Sequence, residues 1–146
     1  MSHVRLNSEG DVDHRSLWDA STPSATAAEG RPWRARYLEL TFAAGHYSQY
    51  EDFVRQAARD VGFPESAPET LLRNWANLSP WPEAAATLRL FRKKGYELGV
   101  VTNCSKHMCH LAASNVAEQV DADAGQVFKA VVTAEESGFY KPVGQA

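Results

Sequence analysis

The segment GYELGVVTNCSKH, from Gly95 to His107, constrains the fold more than any other part of this sequence. Leu98, Val100 and Val101 form a nearly continuous apolar run that stops abruptly at small polar residues. Such a run is typical of a parallel strand that helices cover on both faces, whereas a half-exposed strand alternates apolar and polar residues. The segment therefore predicts a buried strand over Tyr96 to Thr102.

Helical patterns flank this strand, and a second strand follows. The preceding helix is predicted from Pro82 to Gly95, because proline suits a first helical turn and glycine an end. After the strand, Ser105 is placed to begin a helix that extends to about Val116. VFKAVVT, from Val127 to Thr133, is a second short β-branched run. Helix, strand, helix and strand in this order predict an α/β fold with a parallel sheet.

The part before residue 81 divides into two regions. Residues 1 to 30 are rich in Ser, Ala, Asp, Glu and Gly, and offer little apolar surface to offset chain entropy. We expect residues 1–30 to be a poorly structured N-terminal segment. Residues 31–80 carry helical periodicity, and residues 81–146 form the α/β part.

Three helices are predicted within residues 31–80. The first covers RPWRARYLELTFAAGHY and stops near Gly45. The second is expected to begin at a Ser48 cap, with Glu51 at the capping-box position, and to end near Gly62. The third covers roughly residues 67–77.

Composition and charge exclude several classes of protein. At 146 residues there is room for one ordinary domain, and a net charge of -3 gives no support for a nucleic acid or an anionic membrane as partner. No apolar run approaches the ~20 residues of a membrane helix, and the first residues lack the apolar stretch of a secretory signal. The 2 cysteines are not a disulfide framework, so we expect a cytoplasmic location.

The end of the first strand is a candidate anion site. Ligands of open parallel sheets bind beyond the carboxyl ends of the strands, where Thr102 and Asn103 stand directly before a helix N-terminus. Free N–H groups and the helix dipole favour an anion there, and Lys141 can supply a cation after the second strand. Two other interpretations stay open: Thr102-Asn103 as a plain strand-to-helix turn with an Asn cap, and Lys141 as a solvated lysine.

Three segments resemble a known family. GVVTNCS is similar to the second motif of the haloacid dehalogenase (HAD) superfamily, and VVTAEESGFYKP to its third motif. WRARYLELTFAAGHYSQYEDF resembles the cap helices of the 2-haloacid dehalogenase branch. The resemblance covers roughly residues 31 to 142. It implies a partial HAD-type, Rossmann-like parallel sheet core, with residues 31–80 as a helical cap.

The resemblance also implies a chemistry. In this superfamily an aspartate attacks the substrate and forms an ester that water then hydrolyses. By position, Thr102 and Asn103 would hold the substrate carboxylate or phosphate, and backbone N–H groups as far as Ser105 would add donors. Lys141 would neutralise the nucleophile and the developing anion.

The resemblance assigns three further residues to the cap side of the site. Arg34 would face the substrate and receive the leaving halide or a carboxylate, while Leu38 and Phe53 would form an apolar wall. The glutamine that often follows this arginine in dehalogenases is Ala35 here. Neighbouring arginines leave a second interpretation open, in which Arg34 belongs to a solvated helix face.

The first and fourth motifs of the family are not recognised. The one candidate for the first is EGDVDHRS, where Asp11 and Asp13 form a D-x-D without a preceding apolar strand or a following Gly-Thr. We expect that Asp11 is not a working nucleophile. The sequence reaches Ala146 before any fourth, acidic motif, so the chain is expected to be a truncated and inactive HAD protein.

Cys104, His107, Cys109 and His110 place four potential metal ligands close together. Zinc sites usually draw their ligands from two separated pairs, and one short helix does not turn all four side chains toward one ion. No metal site is therefore predicted here.

Three functions are compatible with the sequence. The first is a hydrolase most similar to 2-haloacid dehalogenases, which needs no cofactor. The second is a small-molecule phosphatase of the same superfamily, which would bind Mg²⁺. The third is a non-catalytic remnant that binds an anion or a protein. The expected partners are a small anionic substrate and a second copy of the chain, because a missing first strand would leave an apolar sheet edge uncovered.

Overall fold

The computed structural model of the protein describes residues 16–78, 80–121 and 126–144. Its elements in chain order are α1 (Leu17–Ala20), α2 (Ala27–Ala44), α3 (Tyr50–Asp60), α4 (Ser66–Asn74), a 3-10 turn (Trp75–Asn77), α5 (Ala84–Lys93), β1 (Gly99–Thr102), α6 (Lys106–Val120), β2 (Ala130–Thr133) and α7 (Ala134–Ser137). Within these residues no helix is long and apolar enough to cross a membrane. The predicted α/β order is confirmed.

The two strands pair in parallel, with Gly99 opposite Ala130 and Thr102 opposite Thr133. They are shorter than predicted: Tyr96 is 58% exposed and its N–H bonds to the carbonyl oxygen of Phe91, which extends the end of α5 rather than the sheet. Both strands therefore end together at one edge, as a parallel sheet requires.

The prediction that helices cover both faces of β1 is wrong for the described residues. Val100 and Val131 are half-buried and pack against the core cluster that includes Leu88 of α5 and Val116 of α6. The opposite face carries Val101 and Val132, which are 49% and 38% exposed. The helices of the α/β part therefore shield one face of the pair, and the strands alternate in burial despite their continuous apolar sequence.

The prediction of a poorly structured segment over residues 1–30 is wrong for residues 16–30; residues 1–15 lie outside the described part of the chain. Ser16 accepts a hydrogen bond from the Asp19 N–H at 3.2 Å and so caps α1. Trp18 is buried, with its ring 5.0 Å from Trp33 and 5.1 Å from Tyr37. This aromatic contact fixes α1 against α2.

Three α-helices lie between residues 27 and 77, as predicted, but not all of them begin and end at the predicted residues. Gly45, with φ of 67°, ends α2 as predicted. The predicted Ser48 cap is wrong, because the N-cap of α3 is Gln49 and makes no side-chain capping bond. Instead the Ser48 carbonyl accepts a bond from the Tyr140 hydroxyl at 2.6 Å, and Glu51 bonds to a residue of another element.

The loop after α2 is attached to the segment after β2. His46 and Phe139 form an antiparallel bridge, the Tyr47 N–H donates to the Gly138 carbonyl at 2.8 Å, and the Tyr140 N–H donates to the Gly45 carbonyl at 2.7 Å. These bonds bring the helical segment of residues 16–78 to the carboxyl ends of the strands. Lys141 follows directly and is thereby held at this edge of the sheet.

Candidate functional site

The carboxyl ends of β1 and β2 carry paired threonines with different roles. Thr133 is 1% exposed; its oxygen accepts from the Glu136 N–H at 3.1 Å and caps α7. Thr102 is half-buried, and its Oγ1 lies 3.5 Å from Cys104 Sγ. Because the contact to sulfur is weak, the Thr102 hydroxyl is the better placed of the two to bind a ligand.

Asn103 and Lys141 are joined by two hydrogen bonds. The Asn103 Nδ2 donates to the Lys141 carbonyl at 3.1 Å, and the Lys141 N–H donates to Asn103 Oδ1 at 2.7 Å. Lys141 Nζ reaches the Val101 carbonyl at 2.7 Å. The structure thus brings the three predicted residues Thr102, Asn103 and Lys141 together. The Asn103 amide bonds to backbone 38 residues away, so it is no local helix cap.

Two carboxylates lie at the N-terminus of α6, where the sequence predicts free donors. The Lys106 N–H, the first of the helix, donates to Glu135 Oε2 at 2.5 Å. The Ser105 hydroxyl, instead of capping its own helix, donates to Glu51 Oε1 at 2.8 Å. Both carboxylates are favoured there by the helix dipole. They occupy donors that an incoming anion would otherwise use.

The charge of Glu135 also affects a neighbouring phenol. Burial, followed by the negative charge of Glu135, raises the pKa of Tyr47 to about 12. The Tyr47 ring stacks on Tyr140 at 5.6 Å. The uncharged rings of Tyr47 and Tyr140 therefore lie beside the Glu135 carboxylate at this edge of the sheet.

The residues predicted on the cap side lie on α2 and α3. The Phe53 ring meets the Tyr140 ring edge-on, with 5.4 Å between the ring centroids. Tyr140 directly precedes Lys141 in the sequence. Leu38 packs against the buried core of the helical segment. Arg34 is half-buried on α2. Their proximity to a substrate stays a prediction.

Sequence reasoning missed four residues that join the helical segment to this edge. Tyr37, within the first helix predicted for residues 31–80, donates a hydrogen bond from its hydroxyl to the Asn103 carbonyl at 2.9 Å. Burial raises the pKa of Tyr37 well above its usual range, so the phenol stays a donor. The others are Glu51, Glu135 and Tyr140. A tyrosine at a buried position was the available signal, because its hydroxyl needs a partner there.

The cysteines and histidines of the α6 region separate. Cys104 and Cys109 are buried, at 4% and 3% exposure, whereas His107 and His110 are exposed. Among the described residues no group of three or more His, Cys, Asp or Glu could hold a metal ion. Both thiols are free; a hydrogen bond between them lowers the pKa of Cys104 and raises the pKa of Cys109. Asp11 and Asp13 lie outside the described residues.

The parallel strand pair, the polar residues at its carboxyl ends and the helical segment beside them define an α/β protein with a candidate anion site at the strand ends. No protein-family model matches the sequence. An (S)-2-haloacid dehalogenase of Pseudomonas putida is 26% identical over 135 residues, which cover 85% of this chain and 57% of that protein. One of Burkholderia cepacia is 26% identical over 142 residues, covering 90% of this chain and 59% of that protein. The chain spans less than two thirds of the length of these relatives.

Solved structures agree on the fold. L-2-haloacid dehalogenase from Xanthobacter autotrophicus, with chloropropionic acid covalently bound, superposes with a TM-score of 0.70 at 21% identity. The match covers 90% of this chain and 55% of that one. A dehalogenase with intermediate complex gives a TM-score of 0.67 at 20% identity, covering 86% and 60%. Together with the sequence matches, these superpositions confirm the predicted resemblance to 2-haloacid dehalogenases.

Proposed function

We propose that this chain carries the anion-binding part of a hydrolase similar to 2-haloacid dehalogenases. The observation that carries the proposal is the double hydrogen bond between Asn103 and Lys141, which holds a cation beside Thr102 at the strand ends. The relatives described above are named as 2-haloacid dehalogenases, which supports a small haloacid over a phosphate ester as the ligand. No cofactor is part of this proposal.

The substrate is a 2-haloalkanoate bound by its carboxylate. The Thr102 hydroxyl and the Lys141 ammonium are its donors, and a charge-assisted bond from an ammonium is the stronger of the two. Arg34 receives the departing halide, and Leu38 and Phe53 line the apolar side. Because Glu51 and Glu135 already lie nearby, one small anion is accepted weakly.

Turnover requires a carboxylate nucleophile. Its oxygen attacks C2 of the acid, the carbon–halogen bond breaks and halide leaves with the electron pair; water then cleaves the ester at its carbonyl carbon and restores the carboxylate. Asp11 is not proposed for this role, since its sequence context lacks the first motif. The chain is therefore proposed to bind the haloacid without turnover, and to do so in the cytoplasm.

Lys141→Ala is expected to weaken binding of (S)-2-chloropropionate about tenfold, since one charge-assisted bond is lost. Isothermal titration or chemical-shift perturbation measures the dissociation constant. Lys129→Ala is the matched control: Lys129 precedes β2 at the opposite end of the sheet and pairs with Glu97. It should leave binding unchanged.

Two results would contradict the proposal. Halide release by the wild-type chain that disappears in Asp11→Asn would make Asp11 the nucleophile. Absence of anion binding at millimolar concentration would favour the non-catalytic interaction protein instead.

We also propose that the chain self-associates through the exposed face formed by Gly99, Val101, Ala130 and Val132. Exposed apolar strands invite pairing with a second copy. Val132→Lys should shift the chain toward monomer in sedimentation velocity, because a buried lysine opposes the contact. Ala43→Lys, on the exposed side of α2, is the control and should not change the distribution. A wild-type chain that stays monomeric at all concentrations would end this proposal.

A further inference from the structure

We propose that Tyr37 is a positioning residue that holds the Lys141 ammonium in place for the anion; this inference rests on the proposed function. Tyr37 is 7% exposed, and its ring lies 5.1 Å from Trp18 and 5.4 Å from Tyr50. Aromatic rings on two sides fix the ring, so the direction of its hydroxyl is fixed as well. That hydroxyl donates to the Asn103 carbonyl at 2.9 Å.

A continuous set of hydrogen bonds leads from Tyr37 to Lys141. The Asn103 carbonyl accepts the hydrogen bond from Tyr37. The Asn103 side-chain amide forms two hydrogen bonds with the Lys141 backbone, of 3.1 and 2.7 Å. The Lys141 ammonium in turn reaches the Val101 carbonyl. Asn103 lies between β1 and α6 and belongs to neither element. A shift of Asn103 therefore moves the backbone that carries the cation.

Tyr140 provides a matched comparison within the same core. It is 0% exposed, and its hydroxyl also donates to a backbone carbonyl, that of Ser48, at 2.6 Å. Removing either hydroxyl deprives one backbone carbonyl of a phenol donor in a part-buried hydrogen bond, with a similar cost in stability. The two differ in their acceptors: the Tyr37 acceptor belongs to the residue that holds Lys141, and the Tyr140 acceptor belongs to the turn before α3.

The test compares Tyr37→Phe with Tyr140→Phe. Both should lower Tm by a similar amount. Tyr37→Phe should weaken (S)-2-chloropropionate binding about fivefold, the equivalent of one neutral hydrogen bond, while Tyr140→Phe changes it less than about twofold. In the Lys141→Ala background, Tyr37→Phe should cause no further loss, because the positioned cation is gone.

A ligand-free measurement separates this inference from the proposed function. Hydrogen exchange of the Asn103 side-chain amide, which donates to the Lys141 carbonyl, should accelerate in Tyr37→Phe and not in Tyr140→Phe. Unchanged exchange, or a Tyr37→Phe effect on binding that persists in the Lys141→Ala background, would overturn the positioning role and leave the proposed function intact. If the wild-type chain bound no haloacid while Tyr37→Phe still accelerated the exchange, the proposed function would be refuted, and with it the purpose of the positioning.

Discussion

Gly30→Ala is expected to destabilise the protein by about 3 kcal/mol or more, the upper range for forcing extra volume into a packed interior. A methyl group at Gly30 would overlap Asp19 Oδ1 and would lie 2.8 Å from both the Cα and the N of Asp19. The side-chain oxygen can rotate away, but the two backbone atoms belong to α1 and move only with that helix. This change in stability has the opposite sign to that at an ordinary helical glycine, where replacement by alanine stabilises the helix by about 1 kcal/mol.

Thermal or urea unfolding measures this change. Gly99→Ala is the matched control, because its methyl would meet nothing closer than the Ala130 carbonyl at 3.5 Å, an ordinary contact. We expect that control to be near neutral. A Gly30→Ala protein as stable as the wild type would mean that α1 does not pack on α2 in solution.

The sequence predicted the α/β part well because its signals are local or follow from topology. Short β-branched runs between helical patterns fix two parallel strands, and parallel strands place their carboxyl ends at one edge. That geometry alone brings Thr102 and Asn103 near the segment of Lys141, although they are 38 or more residues apart. Glycine endings at Gly45 and Gly95 are equally local, since a positive φ is costly for other residues.

The same reasoning failed where distant contacts decide the outcome. Residues 16–30 are poor in apolar residues, yet one side chain, Trp18, provides enough buried contact with α2 to order α1. Ser48 and Glu51 form a good capping signal, but their partners are Tyr140 and Ser105, more than 50 residues away. A local propensity worth about 1 kcal/mol is readily overridden by such bonds.

The candidate site also combines features that the sequence predicts with features that depend on distant contacts. Which residue types gather at the strand ends could be predicted from their positions after each strand. The partner of the Asn103 side-chain amide could not be predicted, because a carboxamide can hydrogen-bond to a ligand or to the backbone equally well. The carboxylates of Glu51 and Glu135 at α6 were missed for a related reason: acidic side chains after a strand or in a first helical turn are common at the surface.

Trp33→Ala is expected to cost about 3–5 kcal/mol, the usual range for emptying a buried tryptophan site. Trp33 is 0% exposed, and its ring meets Trp18 at 5.0 Å and Phe63 at 5.6 Å. Its Nε1–H also donates to the Val54 carbonyl at 3.1 Å, so the variant loses a buried hydrogen bond to α3 as well. A small domain is stable by about 5–15 kcal/mol in total, so this loss would remove a large share of it.

Two further variants identify the cause of that loss. Trp81→Ala, at a residue that is 36% exposed, should change stability by less than about 1 kcal/mol. Trp33→Phe keeps an aromatic ring but lacks the N–H, and should cost about 1–3 kcal/mol, from the lost hydrogen bond to the Val54 carbonyl and the smaller ring. Because Tyr37 lies one helical turn beyond Trp33 on α2, Trp33→Ala should also release the Asn103 carbonyl and weaken haloacid binding. If Trp33→Ala were no worse than Trp81→Ala in urea unfolding, the junction of α1, α2 and α3 would not be what stabilises the strand-end site.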